Sequence, residues 1–397
     1  MPIELQLFGG VAAALLVAAL VSFISTPVVK AFAQKVGAVD VPKDGRRMHD
    51  HPIARLGGLA IFLGFMLSVI LFVDITKPMR GMLFGGVIIV VLGIFDDIYS
   101  LPAMFKFVVQ IAAALVAVFS GNVISVISNP NVFSANPYWE LGVLAIPVTV
   151  IWIVAITNAV NLIDGLDGLA VGVSTISSMT LLVIAMAFSE GEVAVLMAAL
   201  SGACIGFMPY NLNPAKIFMG DTGSTFLGFI LATVSIQGLF KFPMIISFAV
   251  PFLMLGLPIF DTAFAFIRRI AHGQSPMHAD RSHVHHRLID MGFSQKQAVA
   301  VLYMISAILG LSAVVLTTGG PLKAMLLLVA LCAAGGVSAR IFVLNNEKKQ
   351  NDARTEKENE AAEDEAPRDG EGSPEESAQK KTPKEAITGA SDEEEKP

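Results

Sequence analysis

The chain is built around a succession of apolar runs between residues 7 and 344, most of them long enough to cross a hydrocarbon layer. A bilayer core of about 30 Å needs roughly 20 mostly apolar residues per helix, and in lipid each backbone N–H and C=O must find its partner inside the segment. These constraints predict an all-α, polytopic membrane protein of about eleven transmembrane helices. The expected spans are 7–29, 56–73, 81–95, 104–120, 141–157, 168–189, 193–209, 222–240, 243–265, 297–318 and 322–344. Composition agrees, with 54% of residues hydrophobic and only 15% charged, where a soluble domain carries about 25% charged residues. Met1 to Gln6 has neither a basic stretch nor a following cleavage site, so the first run is expected to remain as a helix.

Charge divides the chain into two parts. The stretch from Asn346 to Pro397 holds 17 of the 33 acids and 9 of the 27 bases, which leaves the body with 18 bases against 16 acids. Rich in Glu, Lys, Ser and Pro and free of aromatics, residues 346–397 read as a disordered, acidic cytoplasmic tail, either a solvated extension or a docking segment for other proteins. Residues 1–345 form the expected transmembrane catalytic domain. Cys204 and Cys332 lie in apolar runs without a partner at metal or redox spacing, and read as small buried hydrophobes.

Lys and Arg gather in alternate loops, from Lys30 to Arg55 and again at Lys106, Lys216, Arg268, Arg269, Arg281, Arg287, Lys296 and Arg340. Basic loops stay in the cytoplasm, so the N-terminus is expected outside and the C-terminus inside. With that orientation all four Glu of the body face outward, while every Asp except Asp74 faces the cytoplasm. Such sorting suits a compact site for a hard cation and phosphates. No expected span has a charge at its centre, Asp261 coming nearest but close to a cytoplasmic end. A pump, ion-coupled transporter or voltage sensor needs ionisable groups at membrane depth, so a transporter is the disfavoured alternative class.

Four cytoplasmic segments carry the chemistry. Asp96 and Asp97 stand together at the end of the third span, and adjacent carboxylates repel unless a cation or proton lies between them; a solvated acidic turn is the plainer reading. Asn158, Asn161, Asp164 and Asp167 are compressed between the fifth and sixth spans, with Gly165 and Gly168 permitting tight turns. Gly220-Asp221-Thr222-Gly223-Ser224 opens the eighth span, where free backbone N–H groups and a carboxylate suit a cation with bound phosphates, or Asp221 is an N-cap, and both can hold. The loop from Arg268 to Gln295 carries five of the seven histidines. Zinc is one reading of that cluster, but no cysteine joins it, and phosphate recognition by His and Arg fits the composition better.

Together, Asp96-Asp97, Asn158 to Ala170, Pro214 to Ser224 and the run Asp280-Arg281-Ser282-His283-Val284-His285-His286-Arg287 resemble the polyprenyl-phosphate N-acetylhexosamine-1-phosphate transferases, a glycosyltransferase 4 type family. The resemblance covers about residues 5–345, and Gly57 and Gly58 match a family segment after the first cytoplasmic loop. It implies a Mg²⁺-dependent reaction, with Mn²⁺ able to substitute, in which a lipid phosphate attacks the β-phosphorus of a UDP-sugar and UMP leaves. It further implies a catalytic set of Asp96, Asp97, Asp164, Asp167 and His283, with Asp96 or Asp97 orienting or deprotonating the lipid phosphate. Lys106, Asn158, Asn161, Asn211, Phe218, Arg281, His285 and His286 become substrate contacts, and Asp221 with Asp97 the metal ligands.

Within that family the His-Val-His-His pattern is similar to the branch using UDP-N-acetylglucosamine (UDP-GlcNAc) for teichoic acid linkage units or O-antigen. The alternative, a phospho-MurNAc-pentapeptide transferase, typically has a Pro-preceded triple-His run, which is absent here. The implied partners are UDP-GlcNAc, undecaprenyl phosphate and the lipid bilayer of the plasma membrane, with a homodimer allowed and no nucleic acid. The implied active site lies on the cytoplasmic face of a multi-pass protein.

Overall fold

The computed structural model describes residues 3–41, 51–128, 138–239, 244–271, 283–320 and 322–329. Arg281, the second half of the last expected span and residues 346–397 lie outside the described residues. Helices dominate: α1 Ile3–Val36, α2 Gly58–Phe72, α3 Lys77–Tyr99, α4 Ala103–Phe119, α5 Ala145–Leu162 and α6 Leu169–Ala187. They continue with α7 Gly191–Asn211, α8 Gly220–Leu239, α9 Met244–Met254, α10 Gly256–Ala271, α11 Val284–Asp290 and α12 Gln295–Gly319. Two short antiparallel pairs interrupt them, β1 Val39–Asp40 with β2 Ile53–Ala54, and β3 Val126–Ser128 with β4 Tyr138–Glu140. Among the described residues six helices are long and apolar enough to cross a membrane, and α2 and α4 are shorter apolar helices. The protein is therefore an all-α, multi-pass membrane protein.

At the centre stands α8, buried continuously from Thr222 to Ile236. A helix apolar on every side must be surrounded, and α2, α3, α5 and α6 pack around it. Past its first turn its hydroxyls bond their own backbone, as Thr233 Oγ1 does to Phe229 O at 2.8 Å, so they bring no unmet polar group into the core.

Small residues set the closest helix pair. A Cβ on Gly202 of α7 would lie 2.1 Å from Leu15 O of α1, and one on Gly206 would lie 2.1 Å from Ala19 O. Spaced four apart on one face, the two glycines let the backbones touch, the usual way to pack helices where lipid offers no hydrophobic drive.

One expected span is corrected: 243–265 is not a single helix but α9 and α10, separated at Leu255. The reason is Pro258, which has no N–H to offer Met254 O four residues earlier. Ser177 of α6 supplies the missing donor, its hydroxyl bonding Met254 O at 2.6 Å.

Substituting Gly202→Ala should lower the melting temperature of the detergent-solubilised protein, at an overpacking cost of about 1–3 kcal/mol. Gly10→Ala, where a Cβ meets nothing within 4 Å, should leave the melting temperature unchanged.

Candidate active site

The site grows from the buried N-terminus of α8, whose first N–H groups lack acceptors within their own helix. Asp97, from the last turn of α3, supplies them. It accepts Asp221 N at 3.0 Å, Thr222 N at 3.1 Å and the Thr222 hydroxyl at 2.7 Å. The approach requires Gly220, at φ 74°, because a Cβ there would sit 2.4 Å from Asp97 Oδ2. The neighbouring carboxylate turns elsewhere: Asp96 accepts Leu101 N at 2.7 Å and Lys106 Nζ at 2.8 Å. Ser100, left-handed at φ 53°, ends α3 and swings the chain into α4, which places Lys106 where it also reaches Asp221 at 3.0 Å. From the C-terminal end of α5, Asn161 donates to Asp221 Oδ1 at 3.2 Å and to the Ser224 hydroxyl at 2.8 Å.

Asp164 and Asp167 lie on the turn between α5 and α6 but do different things. Asp167 Oδ2 accepts Asn213 Nδ2 and Ala215 N, each at 3.0 Å, fixing the loop that leads into α8. Asn213 also donates to Gln295 of α12 at 2.6 Å. Among the described residues no side chain or backbone N–H donates to the Asp164 carboxylate, which lines the cavity.

That cavity, of about 490 Å³, brings together Asp97, Asn161, Asp164, Asp167, Asn211, Phe218, Asp221 and His286 of the expected site. Asn211 donates to Ile217 O at 3.0 Å, while its buried Oδ1 has no partner among the described residues. Asp96 and Lys106 are outside the lining but touch Asp221 or its partner directly. Three expected residues are elsewhere. Asn158 ties α5 to α4 through Gln110 Oε1 at 2.7 Å, one turn deeper than Asn161. His283 is buried against Asp261 of α10, its Nδ1 3.0 Å from Asp261 Oδ2, and Asp261 also caps α11 by accepting Val284 N at 2.8 Å. His285 packs on the backbone of Gly165, where a Cβ would meet its Nε2 at 2.3 Å.

Residues 79–239, from α3 to the end of α8, match the model of glycosyl transferase family 4. Over 338 residues, 84% of this chain and 93% of the other, the sequence is 44% identical to a Bacillus subtilis (strain 168) protein described as a probable undecaprenyl-phosphate N-acetylglucosaminyl 1-phosphate transferase. The chain belongs to glycosyl transferase family 4. The resemblance carried by its motifs is thereby borne out. Other relatives in the family are a decaprenyl-phosphate N-acetylglucosaminephosphotransferase of Mycolicibacterium smegmatis, 34% identical over 75% of this chain and 80% of that one. A Staphylococcus aureus (strain MSSA476) phospho-N-acetylmuramoyl-pentapeptide-transferase is 31% identical over 64% of this chain and 82% of its own.

For a family member the cavity is acidic. Asp40, Asp97, Asp164, Asp167, Asp221 and Asp290 line it, against Arg55. Burial first, then the charges of Asp221 and Asp97, push the Asp164 carboxyl up to about 8, with Arg55 opposing them. Burial and the neighbouring His286 pull His285 down to about 4, so it is a neutral imidazole at pH 7. Arg55, Asp40, Asp290 and Gln295 were not among the expected site residues. Arg55 had a signal, since it directly precedes the Leu56-Gly57-Gly58 segment that the resemblance marks; Gln295 had none.

An aspartate in the unfolded chain ionises near about 4, whereas folded Asp164 keeps its proton to about 8. Folding therefore takes up a proton between these values, and stability falls as pH rises through that window. Melting curves in EDTA should show that decline from pH 5 to pH 8, and Asp164→Asn should flatten it.

Proposed function

We propose that the protein transfers N-acetylglucosamine 1-phosphate from UDP-GlcNAc to undecaprenyl phosphate at the cytoplasmic face of the plasma membrane. UMP is released, and the product opens the lipid-linked stage of a cell-wall polymer or polysaccharide of teichoic acid or O-antigen type. One observation carries the reading: Asp97, Asp164 and Asp221, from three separate parts of the chain, meet on a single cavity. The 44% identity to a relative with an undecaprenyl-phosphate and N-acetylglucosaminyl name supports the substrates. The concentration of Lys and Arg in one set of loops supports the cytoplasmic placement.

In this reaction an oxygen of the lipid phosphate forms a bond to the β-phosphorus of the nucleotide sugar. The bond from that phosphorus to the oxygen bridging the two phosphates breaks, and UMP departs with the bridging oxygen. Phosphoryl transfer needs positioning and charge neutralisation more than covalent catalysis. The residues fit a hard divalent cation. Asp221 presents a carboxylate 30% exposed to the cavity, and the raised proton affinity of Asp164 marks a place short of positive charge. Asp221 and Asp164 would hold Mg²⁺ or Mn²⁺, with Asp97 less available because three donors already occupy it. The ion supplies neutralisation of the phosphate charge that builds up as the β-phosphorus is attacked.

The protein's own groups do the rest. Lys106, held between Asp96 and Asp221, presents an ammonium to the attacking phosphate. Asn161 fixes the rotamer of Asp221. Asp167, through Asn213 and Ala215, fixes the backbone that carries Asn211 and Phe218 along the cavity wall. His283 belongs to a buried pair with Asp261 and acts by placing α11, with His286 the histidine that faces substrate.

Purified protein in detergent should release UMP from UDP-GlcNAc only when undecaprenyl phosphate and Mg²⁺ are both present, and should not do so from UDP-MurNAc-pentapeptide. UMP release unaffected by omitting the lipid, or seen only with the pentapeptide donor, would refute the assignment. Asp221→Asn should lower kcat by at least about 100-fold, since a metal contributes several kcal/mol to such reactions, while the variant remains monodisperse.

A further inference from the structure

We infer that Arg55 grips the diphosphate of the nucleotide sugar, an inference that rests on the transfer reaction proposed above. Of the described residues lining the cavity, Arg55 is the one Lys or Arg. The nearby ammonium of Lys106, between Asp96 and Asp221, lies outside that lining and is assigned above to the attacking lipid phosphate. A ligand bearing two phosphates, entering a space lined by six aspartates, needs positive charge from the wall as well as from a bound cation.

The chain holds Arg55 firmly. Its own N–H bonds Ala38 O at 2.9 Å, and the preceding carbonyl, Ala54 O, accepts Phe218 N at 2.8 Å. On the other side Gly57 N bonds Phe218 O at 2.9 Å and Gly58 N bonds Met219 O at 2.8 Å. Between them Leu56 is fully buried with φ 74°, a conformation that a bulky residue keeps only where its surroundings dictate it. The guanidinium is aimed by Asp40 of the same hairpin, Nη2 to Oδ1 at 3.1 Å. A guanidinium has five N–H donors, and among the described residues Asp40 is the only side-chain partner of Arg55. The open edge is the planar fork that pairs bidentately with phosphate oxygens.

The nucleotide sugar, rather than the lipid phosphate, is the ligand that fits this position. Lys106 lies in the first turn of α4, whose residues Met104 and Phe105 expose apolar side chains suited to a lipid. Arg55 stands on the short hairpin of β1 and β2, next in space to Phe218.

The test compares Arg55→Gln, Arg55→Lys and Asp40→Asn in the full chain, measuring KM for each substrate and competitive Ki values for UDP and uridine. Arg55→Gln should raise KM for UDP-GlcNAc and Ki for UDP by about 10- to 100-fold, the loss expected for a charged hydrogen-bond pair. Ki for uridine and KM for undecaprenyl phosphate should hold steady. Arg55→Lys, a point charge without the fork, should fall between, and Asp40→Asn should give a smaller rise in the same two constants. Unchanged UDP constants would overturn the inference, as would equal weakening of UDP and uridine, which marks a damaged wall. A shift confined to undecaprenyl phosphate would overturn it too, assigning Arg55 to the lipid. Should Arg55→Gln fail to fold, the UDP-to-uridine comparison in Arg55→Lys decides. Failure of the transfer reading is separate, because it appears in the wild-type protein as absence of UMP.

Discussion

Burying the start of α8 creates a debt of unpaired N–H groups in the middle of the protein, and the carboxylate of Asp97 settles it from a different helix. Much of the site follows from that single cap. It locks the end of α3 against the start of α8, so close that Gly93 can carry no Cβ without meeting Thr222 Cα at 2.4 Å. With α3 fixed, Asp96 and the reversal at Ser100 are fixed, and so is the approach of Lys106 to Asp221. A capping bond in water contributes about 1 kcal/mol, but a charged acceptor in a buried place does more, because the donors have no water to fall back on.

The cavity is assembled from the ends of helices and the turns between them. This explains why carboxylates so far apart in sequence can share it without any lying at the centre of a span. Burial first, and then the charges of Asp221 and Asp97, keep the proton on Asp164.

Most of this architecture was legible in the sequence. Apolar run lengths gave most of the described helices to within about five residues, though α1 runs on to Val36 and 243–265 divides, and the crowding of Asp, Asn and Gly at α5–α6 and at Gly220 to Ser224 marked the site. What was hidden depended on distance in space. Spacing alone placed Asn158 and Asn161 together, since both are polar and three apart, but only the position of Gln110 on α4 shows that Asn158 serves packing. His283 looked like its neighbours until Asp261 was found beside it. Arg55 read as one more basic residue of an inward-facing loop, because its cavity exists only once residues of β1, the start of α8 and Gln295 of α12 line one space. The break between α9 and α10 could have been suspected from Pro258, yet prolines within α1 and α7 leave those helices unbroken.

The hydroxyl that Ser177 lends to Met254 has a mechanical meaning. Pro258 leaves one gap in the ladder, bracketed by Leu255 N to Pro251 O and Ile259 N to Leu255 O, each at 3.0 Å, and the hydroxyl from α6 closes it. The wall of the cavity formed by α11 is hung from α10 through Asp261. Ser177 thus braces, by way of Met254 and α10, a wall of the cavity that it does not itself line.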